Sequence, residues 1–409
     1  MNIVLESGAA ALLDELHRAG FGAYAVGGCV RDSLLGLAPH DWDLCTAARP
    51  GQVMELFGED RCIPTGLQHG TVTVKRDGKL YEITTFRTEG RYSDGRHPDS
   101  VAFVPDLRED LARRDFTINA MAYSAEEGLC DPFGGREDLA RGVVRAVGEP
   151  LRRFGEDALR ILRLYRFAAR FGFAIDEATE AAAKQLASHL DCVSAERIEE
   201  ELNKLLAAPQ PGAYLEPEVL AFVLPELPPE ELTKARRRID ALPAGAEQVS
   251  ARWAALLLPL GETGARKALK RLKCSNARID GAAALVRECG EKTPDTLDKC
   301  DLRLQAKRLL GKYDLRTVQQ LTALWTALAS EEKASFDALR AEAEALTAQG
   351  ACCRISQLAV NGRDLMAAGA APGPGLRRVL EALLEEVVTG RLPNEKTELL
   401  AFAAGFSAS

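Results

Sequence analysis

The chain has no CxxC pair and no Cys/His spacing that could hold a structural metal, although ten cysteines occur in its 409 residues. Scattered from Cys29 and Cys45 through Cys62, Cys130, Cys192, Cys274, Cys289, Cys300, Cys352 and Cys353, they read as reduced thiols, not a disulfide framework. Cys29 and Cys45, near the acidic motif described below, are expected as small packing residues rather than nucleophiles. No apolar run approaches the ~20 residues that cross a bilayer. The first residues lack the basic start and continuous apolar stretch of a signal peptide, so a cytoplasmic location is expected. An excess of positive charge is missing as well. Lys and Arg number 52 against 60 Asp and Glu, a net charge of −8, and global charge does not advertise nucleic-acid binding. There is no low-complexity tail and no convincing internal repeat.

What is present divides in two. Over about the first 145 residues, strands and helices alternate. Leu12, Leu13 and Leu16 recur at helical spacing, and Ala23 to Val26 is a short apolar strand ending at Gly27-Gly28. A helix is expected to follow to Leu35, then a strand over Asp41 to Cys45. Thr71–Lys75 and Lys79–Phe86 flank Asp77-Gly78, a strong hairpin signal, and Ser100–Val104 adds a candidate strand. After Pro150 the pattern is helical, broken at Pro209-Gln210-Pro211, Pro225–Pro229 and the Pro/Gly stretch 371–375. The expectation is an α/β head over 1–147, then all-α neck (148–208), body (209–305) and tail (306–409). Charge is local: Arg266 to Arg316 holds 14 Lys/Arg against 7 Asp/Glu, a candidate phosphate-contacting surface.

The strongest chemical signal is Gly27-Gly28-Cys29-Val30-Arg31-Asp32 followed by Asp41-Trp42-Asp43. On a strand, Asp41 and Asp43 point to one face. Two carboxylates that close repel unless a cation lies between them. Mg2+ suits the pair, because it takes oxygen ligands and leaves positions for phosphate oxygens. One ion can activate an attacking hydroxyl while a second neutralises leaving pyrophosphate. The glycine turn admits a triphosphate close to the backbone. Glu82 is the candidate third carboxylate. A lone DxD is weak; the glycine turn ahead of it is what raises it above a solvated turn.

These residues resemble the first motif of the class II tRNA nucleotidyltransferases and bacterial poly(A) polymerases. Arg113 to Ala120 (RRDFTINA) resembles their second block, Glu156 to Phe167 (EDALRILRLYRF) their base-reading helix, and Ser194 to Ile198 (SAERI) their neck region. Asn361 to Met366 (NGRDLM) is similar to the tail of some bacterial members. The resemblance implies a polymerase-β-like nucleotidyltransferase head, CTP and ATP as substrates, tRNA as partner, and catalysis by Asp41, Asp43 and Glu82 with metal on Asp41 and Asp43. It places Gly28 and Arg31 on the triphosphate, Arg114 on the nucleotide, Asp115 on the ribose, and Arg163 and Arg166 on the phosphates or in support of the template pair.

Asp157, Arg160, Arg163 and Arg166 recur every three residues, a slowly drifting stripe on a helix. Asp157 can accept the exocyclic amine of cytosine or adenine, and Arg160 can donate to the adjacent ring nitrogen. Uracil and guanine present the reverse order, and buried mismatched donors discriminate by several kcal/mol. Thr88 to Pro98 resembles the flexible loop of members that add all three nucleotides, read as a lever that shifts preference from C to A. Pro64 to Val72 resembles the tRNA enzymes rather than the poly(A) polymerases. Family members with a phosphohydrolase domain need further histidines, and all five here lie at or before His189. Addition of C, C and A to the tRNA 3′ end is the expectation, with addition of A alone or a poly(A) polymerase as the alternatives, and monomer versus homodimer stays open from sequence.

Overall fold

The computed structural model describes residues 3–90, 100–291 and 301–406. Helix α1 (Ser7–Arg18) buries Leu12, Leu13 and Leu16 beneath the first strand, as their spacing predicts. Each buried leucine of this kind contributes about 2 kcal/mol. Strand β1 (Ala23–Val26) is buried at all four positions, so it lies centrally in the sheet. A turn at Gly27 leads into α2 (Gly28–Leu34), and β2 (Leu44–Thr46) returns antiparallel to β1. After α3 (Pro50–Phe57) come β3 (Cys62–Gly66), β4 (Thr71–Arg76) and β5 (Lys79–Thr85). Asp77 and Gly78, at φ 49° and 77°, close the predicted hairpin with Arg76 opposite Lys79.

Strands β6 (Arg87–Glu89) and β7 (Val101–Phe103) form a separate antiparallel ribbon. The sequence-expected loop between them lies, from residue 91 to 99, outside the described residues. Next come α4 (Leu107–Ala112), β8 (Ala122–Ser124), β9 (Gly128–Cys130) and α5 (Gly135–Arg141). The main sheet has seven strands in the order β3-β4-β5-β2-β1-β8-β9, with only β2 and β5 parallel. Tyr24, Val26, Cys45, Phe86, Leu111, Ala120, Ala122 and Val147 form a core on this frame, which accounts for Cys45 as packing.

The remainder is helical. Helices α6 (Pro150–Glu156), α7 (Leu159–Phe171), α8 (Glu177–Gln185), α9 (Ala195–Leu206) and α10 (Pro217–Val223) complete a first compact unit, Met1–Pro229. The second unit, Glu230–Ser409, contains α11 (Leu232–Asp240), α12 (Val249–Leu257), α13 (Gly261–Arg271), α14 (Asn276–Glu291), α15 (Leu302–Lys312), α16 (Leu315–Leu328), α17 (Lys333–Ala348), α18 (Gly362–Ala367), α19 (Gly375–Val388) and α20 (Lys396–Phe406). The division falls inside the expected segment 209–305, at the Pro225–Pro229 break, so residues 209–229 pack with the head and neck.

One sequence expectation needs correction. The strand over Asp41 to Cys45 begins only at Leu44. The Asp43 carbonyl still accepts the Val26 N–H at 2.9 Å, but opposite Trp42 and Asp41 the chain has already turned away at Gly27. On the β1 side nothing continues the ladder past Gly27, and on the β5 side the pairing starts only at Leu44 with Ile83, so the acidic residues form the approach to the strand.

Candidate active site

Gly27 adopts φ 76° and ψ −120°, a backbone state that glycine reaches without strain. A β-carbon there would lie 2.8 Å from Arg114 Nη1. The turn therefore brings the second sequence block directly against the first. Arg114 is held loosely by Asp110 at 3.5 Å, and its buried Nε finds no hydrogen-bond partner among the described residues. A buried donor without an acceptor is costly unless a ligand satisfies it.

Asp41 and Asp43 lead into β2, and Glu82 sits on the neighbouring β5, on the face opposite buried Tyr81 and Ile83. Extending the parallel pairing of Leu44 with Ile83 back by one residue sets Asp43 beside Glu82. Asp43 reaches solvent, yet the protein packed behind it desolvates the carboxylate and raises its pKa. Arg114 opposes the rise, while Glu82 and Asp41 add to it by like-charge repulsion. Asp43 thus feels both of the other predicted carboxylates. Among the described residues, no three His, Cys, Asp or Glu side chains converge tightly enough to form a ready-made metal cage. A site of two carboxylates fits the donor chemistry of Mg2+, which keeps positions for water and phosphate oxygen. The expected third carboxylate, Glu82, stands beside such a pair and does not close a cage around it.

Arg31 turns inward rather than toward an open phosphate site. Its Nε donates to Asp32 Oδ1 at 2.8 Å, its Nη1 to Asn119 Oδ1, and the guanidinium lies 5.1 and 5.0 Å from the rings of Phe167 and Phe171. Burial lowers its pKa, and Asp32 opposes that shift. Asn119 also donates to Asp115 Oδ1 at 3.0 Å, and Asp115 Oδ2 accepts Arg163 Nε and Nη2 at 2.8 and 2.6 Å. Burial would raise the Asp115 pKa, but Arg163 and Asn119 win and hold it well below the usual carboxylate range. Arg166 pairs with Glu201 at 2.5 Å, and Arg163 reaches the same carboxylate at 3.8 Å. The chain Asp32–Arg31–Asn119–Asp115–Arg163–Glu201 ties the glycine turn, the second block, α7 and α9 into one network. The resemblance gives Arg163 and Arg166 to the phosphates or to support of the template pair; here both are engaged with carboxylates.

Asp157 does not lie on the helix that carries Arg160, Arg163 and Arg166. It has an extended backbone, φ −144° and ψ 105°, between α6 and α7, so the predicted four-residue stripe loses its first member. Its Oδ1 accepts the Leu159 N–H at 3.1 Å and thereby caps the helix start. Arg160 pairs with Glu156 at 2.8 Å, not with Asp157, and its Nη2 donates to the Arg113 carbonyl at 3.1 Å.

Several contributing residues were not singled out from sequence. Asn119 and Glu201 do not stand out from their neighbours along the chain, and only their burial marks them. Glu89 joins Arg87 and Arg113, each at 2.9 Å, and so links the β6–β7 ribbon to the second block.

Three family descriptions match the chain: Poly A polymerase head domain over 23–145, probable RNA and SrmB-binding site of polymerase A over 172–228, and putative tRNA nucleotidyltransferase domain 2 over 246–403. The CCA-adding enzyme of Limosilactobacillus fermentum is 38% identical over 408 residues, covering 96% of this chain and 95% of that protein. That of Geobacillus stearothermophilus is 37% identical over 399 residues, with 96% and 95% covered. The crystal structure of the Bacillus stearothermophilus CCA-adding enzyme in complex with CTP superimposes with a TM-score of 0.81 at 34% identity, over 99% of this chain and 98% of that one. The Thermotoga maritima CCA-adding enzyme complexed with tRNA, at 22% identity and a TM-score of 0.69, shares the fold over 97% and 94% of the two chains. The acidic pair behind its glycine turn and the arginine helix braced against the head are thus accompanied by relatedness along nearly the whole chain: it belongs to the CCA-adding enzymes, the tRNA nucleotidyltransferases.

Proposed function

We propose that this protein adds C, C and A to the 3′ end of tRNA from CTP and ATP, with no nucleic-acid template. The observation that carries this reading is the placing of Asp157 just before α7 and of Arg160 in its first turn, each fixed by its own protein partners, within the compact unit that bears Asp41 and Asp43. A carboxylate and a guanidinium so held match the amine and ring nitrogen that cytosine and adenine share. Relatives named as CCA-adding enzymes favour this over addition of A alone or poly(A) synthesis.

Asp41 and Asp43 would hold the divalent ion, assigned as Mg2+ by their all-oxygen chemistry. Bound there, one such ion would lower the pKa of the tRNA 3′-hydroxyl and a second would neutralise the departing pyrophosphate. The chain's own residues orient the reaction. Gly27 and Gly28 admit the triphosphate against the backbone, and the orphaned Arg114 Nε is available to the nucleotide. Asp115 would meet the ribose, although Arg163 already occupies its Oδ2. Arg31 braces the glycine turn from within. Rather than binding phosphate directly, Arg163 ties α7 to the second block through Asp115, and Arg166 steadies the α7–α9 contact through Glu201.

The basic stretch of the second unit would hold the tRNA backbone. Much of its charge is internally paired: Arg266 with Asp280 at 2.7 Å, Arg303 with Glu342 at 2.7 Å, Arg308 with Glu385 at 3.2 Å. Exposed Lys267 and Lys270, on α13, are the better phosphate candidates. No helix among the described residues is long and apolar enough to cross a membrane.

The deciding assay incubates the protein and Mg2+ with tRNA transcripts ending in the discriminator base, in C, and in CC. Growth by CCA that then stops supports the reading. AMP added only to the CC transcript, or a long A tail, overturns it in favour of the corresponding alternative.

A further inference from the structure

We propose that Arg197 is a specificity-determining positioning residue, which fills one oxygen of Asp157 and leaves the other as the single acceptor offered to the incoming base. The proposal rests on the base-reading role given above to Asp157. Arg197 lies in the first turn of α9, some forty positions along the chain from its partner. Its Nη1 donates to Asp157 Oδ1 at 3.3 Å and its Nη2 to Oδ2 at 2.7 Å. The Leu159 N–H occupies Oδ1 as well, at 3.1 Å.

A carboxylate offers about four lone-pair directions, two on each oxygen. Both on Oδ1 are taken and one on Oδ2 is taken, which leaves one on Oδ2. An aspartate side chain turns readily about its last torsion, whose energy profile is broad and two-fold. The fork of Arg197 fixes that torsion, because a planar guanidinium holds both oxygens of a planar carboxylate in one plane. The break between α6 and α7 makes this external hold necessary, since the Asp157 backbone is extended and outside either helix. An amine can meet the remaining lone pair. A carbonyl oxygen at the same place, as uracil and guanine present, meets a fixed negative oxygen that cannot rotate away. Without Arg197 the carboxylate can turn aside, and the penalty against the wrong base falls.

The test compares kcat/KM for CTP and UTP, and for ATP and GTP, on transcripts ending in the discriminator base and in CC. The full-length enzyme, Arg197→Ala, Arg197→Lys, Asp157→Ala and the double Ala variant are measured with Mg2+, and folding is checked by thermal unfolding. In Arg197→Ala the CTP-over-UTP ratio is expected to fall about tenfold or more, mostly through gain of UTP use. Arg197→Lys, which keeps the charge but not the fork, is expected to lose most of the ratio too, and it serves if the alanine variant fails to fold. In the Asp157→Ala background, removing Arg197 should change the ratio no further. An equal loss for all four nucleotides would mean a merely structural pairing and overturn the proposal. Unchanged selectivity in both Arg197 variants, with selectivity lost in Asp157→Ala, would overturn it and leave the base-reading role standing. Unchanged selectivity in Asp157→Ala would remove that role and the proposal together.

Discussion

Asp115 and Arg163 join the second sequence block to the α7 helix through two hydrogen bonds onto one carboxylate oxygen, at 2.8 and 2.6 Å. Asp115 is almost wholly buried, whereas the Arg163 side chain is 33% exposed. Arg163→Met would leave Asp115 Oδ2 without its cation in the interior, with only Oδ1 still bonded by Asn119 and the Phe116 N–H. The loss of a buried partner, discounted for the exposure of Arg163, is about 2–3 kcal/mol, readable as a lower midpoint in urea unfolding.

The same pair sets a pH dependence. Because the folded-state pKa of Asp115 is depressed, its contribution is complete above the unfolded carboxylate value of about 4 and is lost as pH falls through the lower folded value. The stability gap between the parent protein and Asp115→Asn should therefore be widest at neutral pH and narrow steadily below about pH 4. A gap that stayed constant across that range would show that the Asp115 charge contributes nothing to folding.

Asp43 presents the opposite case, a carboxylate whose charge is unfavourable in the folded protein until a cation answers it. Asp43→Asn is expected to melt no lower than the parent in EDTA and to lose the upward melting shift that Mg2+ gives the parent. Transfer of both CMP and AMP should drop by about a hundred- to a thousandfold. Asp41→Ala should abolish both transfers in the same way, and normal transfer by either variant would refute the metal assignment.

Gly27→Ala tests the turn. The sparsely populated backbone state alone costs an L-residue about 1–3 kcal/mol, and the new methyl would displace the Arg114 guanidinium from 2.8 Å. KM for both nucleotides should rise together, with the CTP-to-UTP preference kept, since the residues proposed to read the base, Asp157 and Arg160, lie elsewhere. A selective loss for one base would contradict this division of labour.

Lys267→Ala combined with Lys270→Ala should weaken tRNA binding without altering nucleotide KM. If each lysine neutralises one phosphate, the slope of log affinity against log salt should fall by about 0.7–0.9 per residue removed. An unchanged slope would move the phosphate contacts to other cations.

Short-range patterns were legible in the chain itself. The buried strand Ala23–Val26, the Asp77-Gly78 turn and the apolar face of α1 follow from local periodicity and turn chemistry. The acidic pair was legible because its spacing and the preceding glycines are local too. The strand assigned to Asp41 and Asp43 was not, because a strand exists only where a partner continues, and Gly27 removes that partner. The helical stripe failed at Asp157 for a related reason: equal spacing of charges does not reveal that the helix is interrupted between Glu156 and Leu159.

By itself, then, the sequence singled out the candidates for the chemistry, since acidic pairs, glycine turns and arginine spacing are properties of neighbours along the chain. Only the tertiary structure decided what each charge faces. Arg31 is committed to Asp32 and Asn119, Arg163 to Asp115, and Arg197 to Asp157 across forty residues. Spacing along a chain fixes direction only within one element, whereas the partner of a buried charge is chosen by whichever distant element packs against it.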